Sequence, residues 1–267
     1  MTKVSVVTVS FNQARFLAEC LDSVLGQSYP EIEYIVMDGG STDGSVDLIR
    51  ARAERLAFWT STPDAGAAAA LNSGFAQATG DIFAYLNSDD VLEPDAVSKW
   101  VEAVQSHPEV GVVYGDLAII DAEGKPATLP GRRVRLFRAG HWSIRNHAAG
   151  AVAIPQQATA WRRAVAEMVG PFNEANRTCW DGEFFAIAAM KGVRFRHLPG
   201  VLARFRVHES SISGSNRSEA RYREDQARID GLWRQSGVIV PAWERRVRRV
   251  AVQANRLAQG ILGGRQA

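Results

Sequence analysis

The feature that most limits what this chain can fold into is the alternation of short apolar runs with amphipathic stretches over roughly its first hundred residues. Val4–Val9 reads as a buried strand. Leu17, Cys20, Leu21, Val24 and Leu25 then fall at the i, i+3, i+4, i+7, i+8 spacing of an amphipathic helix. Tyr34–Met37 is a second short strand, ending at Asp38-Gly39-Gly40. Ser41–Ala53 reads as helical, Leu56–Thr60 as a third strand and Ala67–Ala78 as a helix. Ile82–Leu86 is a fourth strand, running into Asn87-Ser88-Asp89-Asp90. Pro94 suits the first turn of a further helix with Val97, Val101 and Val104 on its apolar face. Strands separated by helices call for parallel βαβ units with right-handed crossovers. Such sheets bind ligands beyond the carboxyl ends of their strands. Two of those ends carry acids, Asp38 after the second strand and Asp89 with Asp90 after the fourth, and this marks a site.

Beyond Val110 the pattern loosens. Val110–Gly115 reads as a strand and Asp121-Ala122-Glu123-Gly124 as a turn, while Arg132–His147 is polar and basic with no clear period. Helices begin near Arg162 and near Asp181, Phe195–Arg206 holds short strands, and the chain is helical from Ser218 with breaks near Gly237 and Pro241. A length of 267 residues suits one sizeable α/β domain with additions. The net charge of +2 gives no reason to expect a nucleic-acid partner. Cys20 and Cys179 are too few for a disulfide framework and lack metal-ligand spacing, so core packing in a reducing compartment is the reading. The chain passes from Met1-Thr2-Lys3 straight into a strand, without a signal-peptide pattern. No apolar run approaches the ~20 residues a spanning helix needs. The expected location is cytoplasmic, with room for peripheral contact at the inner face of the membrane.

Carboxylates at a strand end can hold a divalent cation, and that cation can stabilise a departing diphosphate. An isolated Asp-Asp pair is more often a solvated turn, so the weight falls on what surrounds it. Ser10-Phe11-Asn12, Ser23–Pro30, and Glu33–Met37 running into Asp38-Gly39-Gly40-Ser41-Thr42-Asp43-Gly44 form a long ordered series. Pro63-Asp64-Ala65-Gly66, Leu71-Asn72-Ser73-Gly74 and Ala78-Thr79-Gly80-Asp81-Ile82 then lead into the acidic motif. This series resembles the family 2 glycosyltransferases, densely over about the first 120 residues and more thinly to about Ser213, in the branch with an NSDD-type metal motif.

The resemblance implies a GT-A fold: an α/β, Rossmann-like, mostly parallel central sheet flanked by helices, with a helical C-terminal extension. Residues 1–215 would form the catalytic domain, with a nucleotide-sugar-binding half (1–115) and an acceptor and catalytic half (116–215), and residues 216–267 the extension. It implies an inverting transfer from a UDP-, dTDP- or GDP-sugar to an acceptor hydroxyl, in polysaccharide or lipid-linked glycan assembly, with Mn²⁺ or Mg²⁺ as cofactor. Asp38 matches the aspartate that bonds the base, with Ser10 and Asn12 beside it, and Asp64 lies on the donor-site wall. Asn72, Ser88 and Arg206 are further donor contacts. Asp89 matches the usual metal ligand, and Asn87 stands where many relatives carry the first Asp, removing one negative charge near the diphosphate. Ala69, Ser73 and Ala160 also depart from common family residues. His208, in Arg206-Val207-His208-Glu209-Ser210-Ser211, resembles a late element whose imidazole joins the metal shell or contacts the diphosphate, against the plainer reading of a surface-loop histidine.

In Cys179-Trp180-Asp181-Gly182-Glu183 the leading acid matches the base that deprotonates the acceptor, with Glu183 as second choice. Partial burial beside Trp180, Phe184 and Phe185 should raise the carboxyl's pKa, and helix capping is the competing role for Asp181. Gln157 and Trp161 lie in an element on the acceptor side, although core packing is the favoured reading of Trp161. Arg162 and Arg163 read equally well as a solvated helix start. Near the end, Trp243, Val247, Val250, Ala254, Leu257 and Ile261 make one helical stripe among Arg245, Arg246, Arg248, Arg249 and Arg256. That stripe should dock on the catalytic domain or a second copy, with peripheral membrane contact less favoured. Two other functions compete: a catalytically silent sugar-nucleotide-binding scaffold, against which Asp89 and Asp181 speak, and a nucleotidyltransferase, which would need a Gly-rich basic loop where Phe11-Asn12-Gln13 stands.

Overall fold

The computed structural model describes residues 1–127, 136–140, 142–209, 211 and 219–263, with residues 219 and 253–263 described by backbone alone. In its first part β1 (Val4–Ser10), α1 (Ala14–Leu25), β2 (Ile32–Asp38), α2 (Ser45–Arg50), β3 (Phe58–Ser61), α3 (Ala67–Phe75) and β4 (Ile82–Asn87) follow one another as the periodicity requires. Then come β5 (Val91–Leu92), α4 (Ala96–Ser106), β6 (Val110–Ile120), β7 (Leu136–Phe137), α5 (Ile144–Ala148), β8 (Thr159–Arg162) and α6 (Arg163–Val169). The chain continues through α7 (Trp180–Met190), β9 (Arg194–Arg206), α8 (Glu219–Gln235) and α9 (Ala242–Gly263). One sheet runs in the order β3-β2-β1-β4-β8-β6-β9-β5, with β7 beside β6. From β3 to β4 it is parallel. Beyond β4 it is mixed, β8 lying antiparallel to both neighbours and β9 parallel to β6.

Both faces of the sheet are covered, so its central strands are apolar on both sides. Val4 and Val6 pack with Leu17, Leu21, Val97 and Trp100 of α1 and α4 on one face. Val7 and Val9 pack with Leu71, Trp161 and Phe184 on the other. Burying Leu17, Leu21 and Val24 contributes about 1.5–3 kcal/mol each, and truncating Leu21 to Ala would cost about 2–5 kcal/mol. A third cluster joins Cys179, Ala186 and Ala189 on the α7 side to Ile229 and Trp233 of α8.

Some local readings change. The helix expected over Ser41–Ala53 is confined to Ser45–Arg50, because the preceding residues are held as a turn by side chains. Asp43 accepts from the amides of Ala14 and Ser45, and Asn12 accepts from the amide of Thr42. The short strands expected in Phe195–Arg206 are one 13-residue strand. Pro199 and Gly200 (φ 118°) sit where its register with β6 shifts, so a bulge reads in sequence as a break. The short strand β8 has no counterpart in the sequence reading. It places Arg162 and Arg163 against the carbonyls of Val110, Val104 and Gly80, which makes them framework residues. Residues 132–135 and 141 of the Arg132–His147 stretch, and residues 212–218, lie outside the described residues.

Candidate active site

The register aligns the strand ends. Ser10 of β1 lies opposite Asp38 of β2, and Val9 opposite Asn87 of β4. The strand order places β1 between β2 and β4, so the chain turns outward in both directions from this point, where open α/β sheets bind ligands. A cavity of about 790 Å³ opens there. Its walls include Ser10, Phe11, Gly39, Asp64, Asn87, Ser88, Asp89, Trp180 and Ser211.

The loops that shape it are tied by carboxylates. Asp38 is buried and accepts from the amides of Gly40 (3.1 Å) and Ser41 (2.8 Å) and from the hydroxyls of Ser41 and Ser61 (both 2.6 Å). Those bonds occupy the carboxylate, so in this structure Asp38 shapes the turn that brings Gly39 and Gly40 to the wall. Asn12, with φ 52°, spans the same turn through Ser41 and Thr42. Asp64 accepts from the amide of Gly66 at 2.7 Å, and both Asp64 and Phe11 crowd the position a Cβ on Gly39 would take. Ser10 Oγ is buried at the wall and has no hydrogen-bond partner among the described residues. A buried hydroxyl without a partner is costly, which makes it a receptive donor or acceptor for a ligand.

The acid pair after β4 divides. Asp89 lines the cavity, and its Oδ2 lies 3.0 Å from His208 Nε2. His208 packs its ring on Phe16 with centroids 4.5 Å apart. Asp90 is fully buried, accepts from the amide of Arg206 at 2.9 Å, and is bonded by Asn87 and Gln157. Burial, and then the charge of Asp89, push its carboxyl well above the usual range. Asp89 and His208 offer a carboxylate oxygen and an imidazole nitrogen, donors that fit Mn²⁺ or Mg²⁺. No group of three or more His, Cys, Asp or Glu that could hold a metal occurs among the described residues. A cation here would therefore draw its remaining ligands from a bound diphosphate and water.

At the far wall, the start of α7 brings Trp180 to the cavity with Asp181 next to it. Trp180 Nε1 donates to the Tyr85 hydroxyl at 3.0 Å. Burial pushes the Asp181 carboxyl up to about 6, against the amides of Gly182 and Asp181 that pull it down. Burial also pushes the Tyr85 hydroxyl well up, and the charge of Asp181 adds to that.

Several expected contacts belong to the framework instead. Glu183 accepts from Asn173 (2.8 Å), Asn176 (2.7 Å) and Arg228 (3.3 Å), which fixes the loop ahead of α7. Asn72 exchanges hydrogen bonds with the backbone of Phe172, pinning α3 to that loop. Arg206 is buried, donates to the carbonyls of Asp89 and Asp121 and pairs with Glu19, so it supports Asp89 from behind and does not reach the cavity. Trp161 is 1 % exposed, ringed by Phe75, Tyr85, Phe172, Phe184 and Phe185, and offers no face to an acceptor. Gln157, also buried, is turned to Asp90. Phe11 went unselected in the sequence, yet it is 61 % exposed at the cavity wall. An apolar residue in a loop carries no periodic signal, and only its exposure singles it out.

A mixed α/β sheet flanked by helices, with a cavity at its strand ends and an acid at the cavity wall, fits the GT-A class of glycosyltransferases. The profile of glycosyl transferase family 2 matches residues 5–199, and the chain belongs to that family. It is 31 % identical to an uncharacterized glycosyltransferase of Nostoc sp., covering 85 % of this chain and 72 % of that one. A PGL/p-HBAD biosynthesis glycosyltransferase of Mycobacterium bovis is 30 % identical, with 67 % of each chain covered. Among solved structures, S. aureus TarS 1-349 in complex with UDP-GlcNAc superposes with a TM-score of 0.67 at 19 % identity, over 85 % of this chain and 65 % of that one. The chain spans 39 % of the longer TarS chain. The mannosyltransferase PcManGT of Pyrobaculum calidifontis, in complex with GDP-Man and Mn2+, superposes with a TM-score of 0.57 at 21 % identity, over 96 % of this chain and 75 % of that one. These two likenesses establish the fold. The chain is thus a nucleotide-sugar-dependent family 2 glycosyltransferase.

Proposed function

We propose that the enzyme transfers a sugar with inversion from a nucleoside diphosphate donor to a hydroxyl of a glycan or lipid-linked acceptor. The observation that carries this is the division of labour around one cavity: Asp89 with His208 on one wall, and Asp181, raised to about 6, beside Trp180 on the other. The exposed ring of Phe11 gives a planar base a face to stack on, and Ser10 Oγ supplies a hydrogen bond beside it. Asp38 and Asn12 hold the turn that shapes this end, and Asp64, Asn87 and Ser88 line the path to Asp89. Asp89 and His208 would hold Mn²⁺ or Mg²⁺, which when bound sets positive charge against the leaving diphosphate. Asp181, ionised above about pH 6, takes the proton of the acceptor hydroxyl as that oxygen attacks the anomeric carbon from the face opposite the leaving group.

Family membership rests on the matched residues 5–199, and the NSDD-type branch on Asn87-Ser88-Asp89-Asp90. The mycobacterial relative named for PGL/p-HBAD biosynthesis supports glycoconjugate assembly as the setting, and the cytoplasmic face is the reading of location that suits a nucleotide-sugar user. The division into residues 1–115, 116–215 and 216–267 follows the same reading. A panel of UDP-, dTDP- and GDP-sugars, each with and without Mn²⁺, tests the proposal by thermal shift and donor turnover. A matching donor at a hundredfold excess over its Kd should stabilise the fold by about 2.7 kcal/mol. The proposal fails if no donor shifts the melting point either with Mn²⁺ or without it.

A further inference from the structure

The two C-terminal helices dock in opposite ways. α8 turns Ile229 and Trp233 inward against the α7 side. α9 attaches instead by its polar side: Arg145 pairs with Glu244, Arg248 donates to Glu244 and to Asn146 Oδ1, and Arg249 donates to the carbonyl of Ala149. Its apolar residues are left outside, Trp243 being 69 %, Val247 57 % and Val250 63 % exposed, and Ile239 just ahead of the helix is exposed as well. Over these residues the stripe does not dock on the catalytic domain of its own chain. The rest of the stripe, Ala254, Leu257 and Ile261, has side chains outside the described residues.

Charge says what can cover this face. Glu244 is the one acid in the α9 sequence, and Arg145 and then Arg248 hold its carboxyl down at about 2 as part of the inward contact. The side chains exposed on this side from Trp243 to Val250 are therefore all apolar or cationic, Trp243, Arg246, Val247 and Val250, while Arg249, also exposed, is turned to the Ala149 carbonyl. We infer that this face of α9 seats on an anionic phospholipid bilayer. An apolar strip flanked by arginines is the arrangement that lies in the headgroup boundary, and an indole at such a boundary keeps its N–H in the polar layer. A second copy packed face to face would bring the arginines of both strips together, whereas anionic headgroups neutralise them. No helix among the described residues is long and apolar enough to cross a membrane, so α9 would lie on the surface.

Co-sedimentation of the full chain with vesicles tests this. The vesicles are phosphatidylcholine alone, or phosphatidylcholine with roughly a quarter phosphatidylglycerol. The protein should pellet with the anionic vesicles only, and raising the salt concentration should release it. Trp243→Ser/Val247→Ser/Val250→Ser should lower vesicle affinity about tenfold or more. Arg246→Gln should lower it about fivefold. Both variants should keep the wild-type melting point and donor turnover, because none of these residues lines the cavity or packs in the core. The inference is overturned if wild type ignores phosphatidylglycerol content, or if the triple variant binds as wild type does. A chain that is dimeric by light scattering, becomes monomeric in the triple variant and binds neither vesicle assigns the face to a second copy and overturns it equally. Because the readout is partition and not turnover, its failure leaves the donor-site proposal standing.

Discussion

The strand-end pair Asp89/Asp90 and the helix-start pair Asp181/Glu183 look alike in sequence, each offering two carboxylates within three positions. The fold uses both in the same way. One acid of each pair has few protein partners among the described residues: Asp89, at the cavity wall, has His208, and Asp181, beside Trp180, has the backbone amides at the start of α7. The other is spent on the frame, Asp90 on the Arg206 amide and Glu183 on Asn173, Asn176 and Arg228. The comparison teaches that acidity alone does not mark a working residue. A carboxylate already satisfied by protein donors is held for structure, and one left short of donors is kept for a ligand.

Substitutions can break this comparison. Asp89→Ala should have the largest effect, lowering donor turnover about a thousandfold with little change in melting point. Near-normal turnover in that variant would remove Asp89 from the site. Asp181→Asn should lower turnover about a hundredfold or more and yet stabilise the protein. Unfolded, this carboxyl titrates near 3.8, and folded near 6. Stability from this group is therefore present at low pH and falls as pH rises from about 4 to 6. At pH 7 removing the charge should return about 1–2 kcal/mol, less than the full shift because the group is partly exposed. A denaturant titration showing Asp181→Asn less stable than wild type at pH 7 would make it a helix cap.

The same shift sharpens the pH profile. The wild-type kcat/KM should fall below about pH 6 with the slope of one proton, and the residual activity of Asp181→Asn should lack that inflection. Glu183→Gln should do the reverse of Asp181→Asn, costing about 1–3 kcal/mol of stability while turnover per folded molecule changes little. Asp90→Asn should be the mildest, about 1 kcal/mol or less, because burial already disfavours the charge on Asp90 and an amide oxygen still accepts from the Arg206 amide. An Asp90→Asn enzyme as inactive as Asp89→Ala would erase the distinction between the two acids.

Much of this was legible before folding. The βαβ order and the acids at the ends of β2 and β4 follow from periodicity and local motif, and the segment holding Asp181 from the family resemblance. Less legible were residues whose type fits two roles. Arg206, Asn72 and Gln157 are polar residues in motif-like segments, yet each is turned to a backbone or side-chain partner in the frame. Trp161 on β8 is enclosed by aromatic rings from α3, β4 and α7, a neighbourhood assembled from distant parts of the chain. The first part of the α9 stripe, Trp243, Val247 and Val250, turns away from the catalytic domain, because spacing locates an apolar face without saying which side of the helix a domain will take.

By itself, then, the amino-acid order determined the strands and helices of the donor half, the place of its acids at strand ends, and membership of a nucleotide-sugar enzyme family. Those properties are local: they rest on side-chain periods of two and 3.6 residues and on motifs a few residues long. Tertiary structure alone decided which donors satisfy Asp90 and Glu183, that Phe11 stands at the cavity wall, and that α9 turns Trp243, Val247 and Val250 outward. Those depend on partners 40 to 120 positions away in the chain, such as Arg206 for Asp90 and Arg228 for Glu183, and such pairings exist only once the sheet has closed.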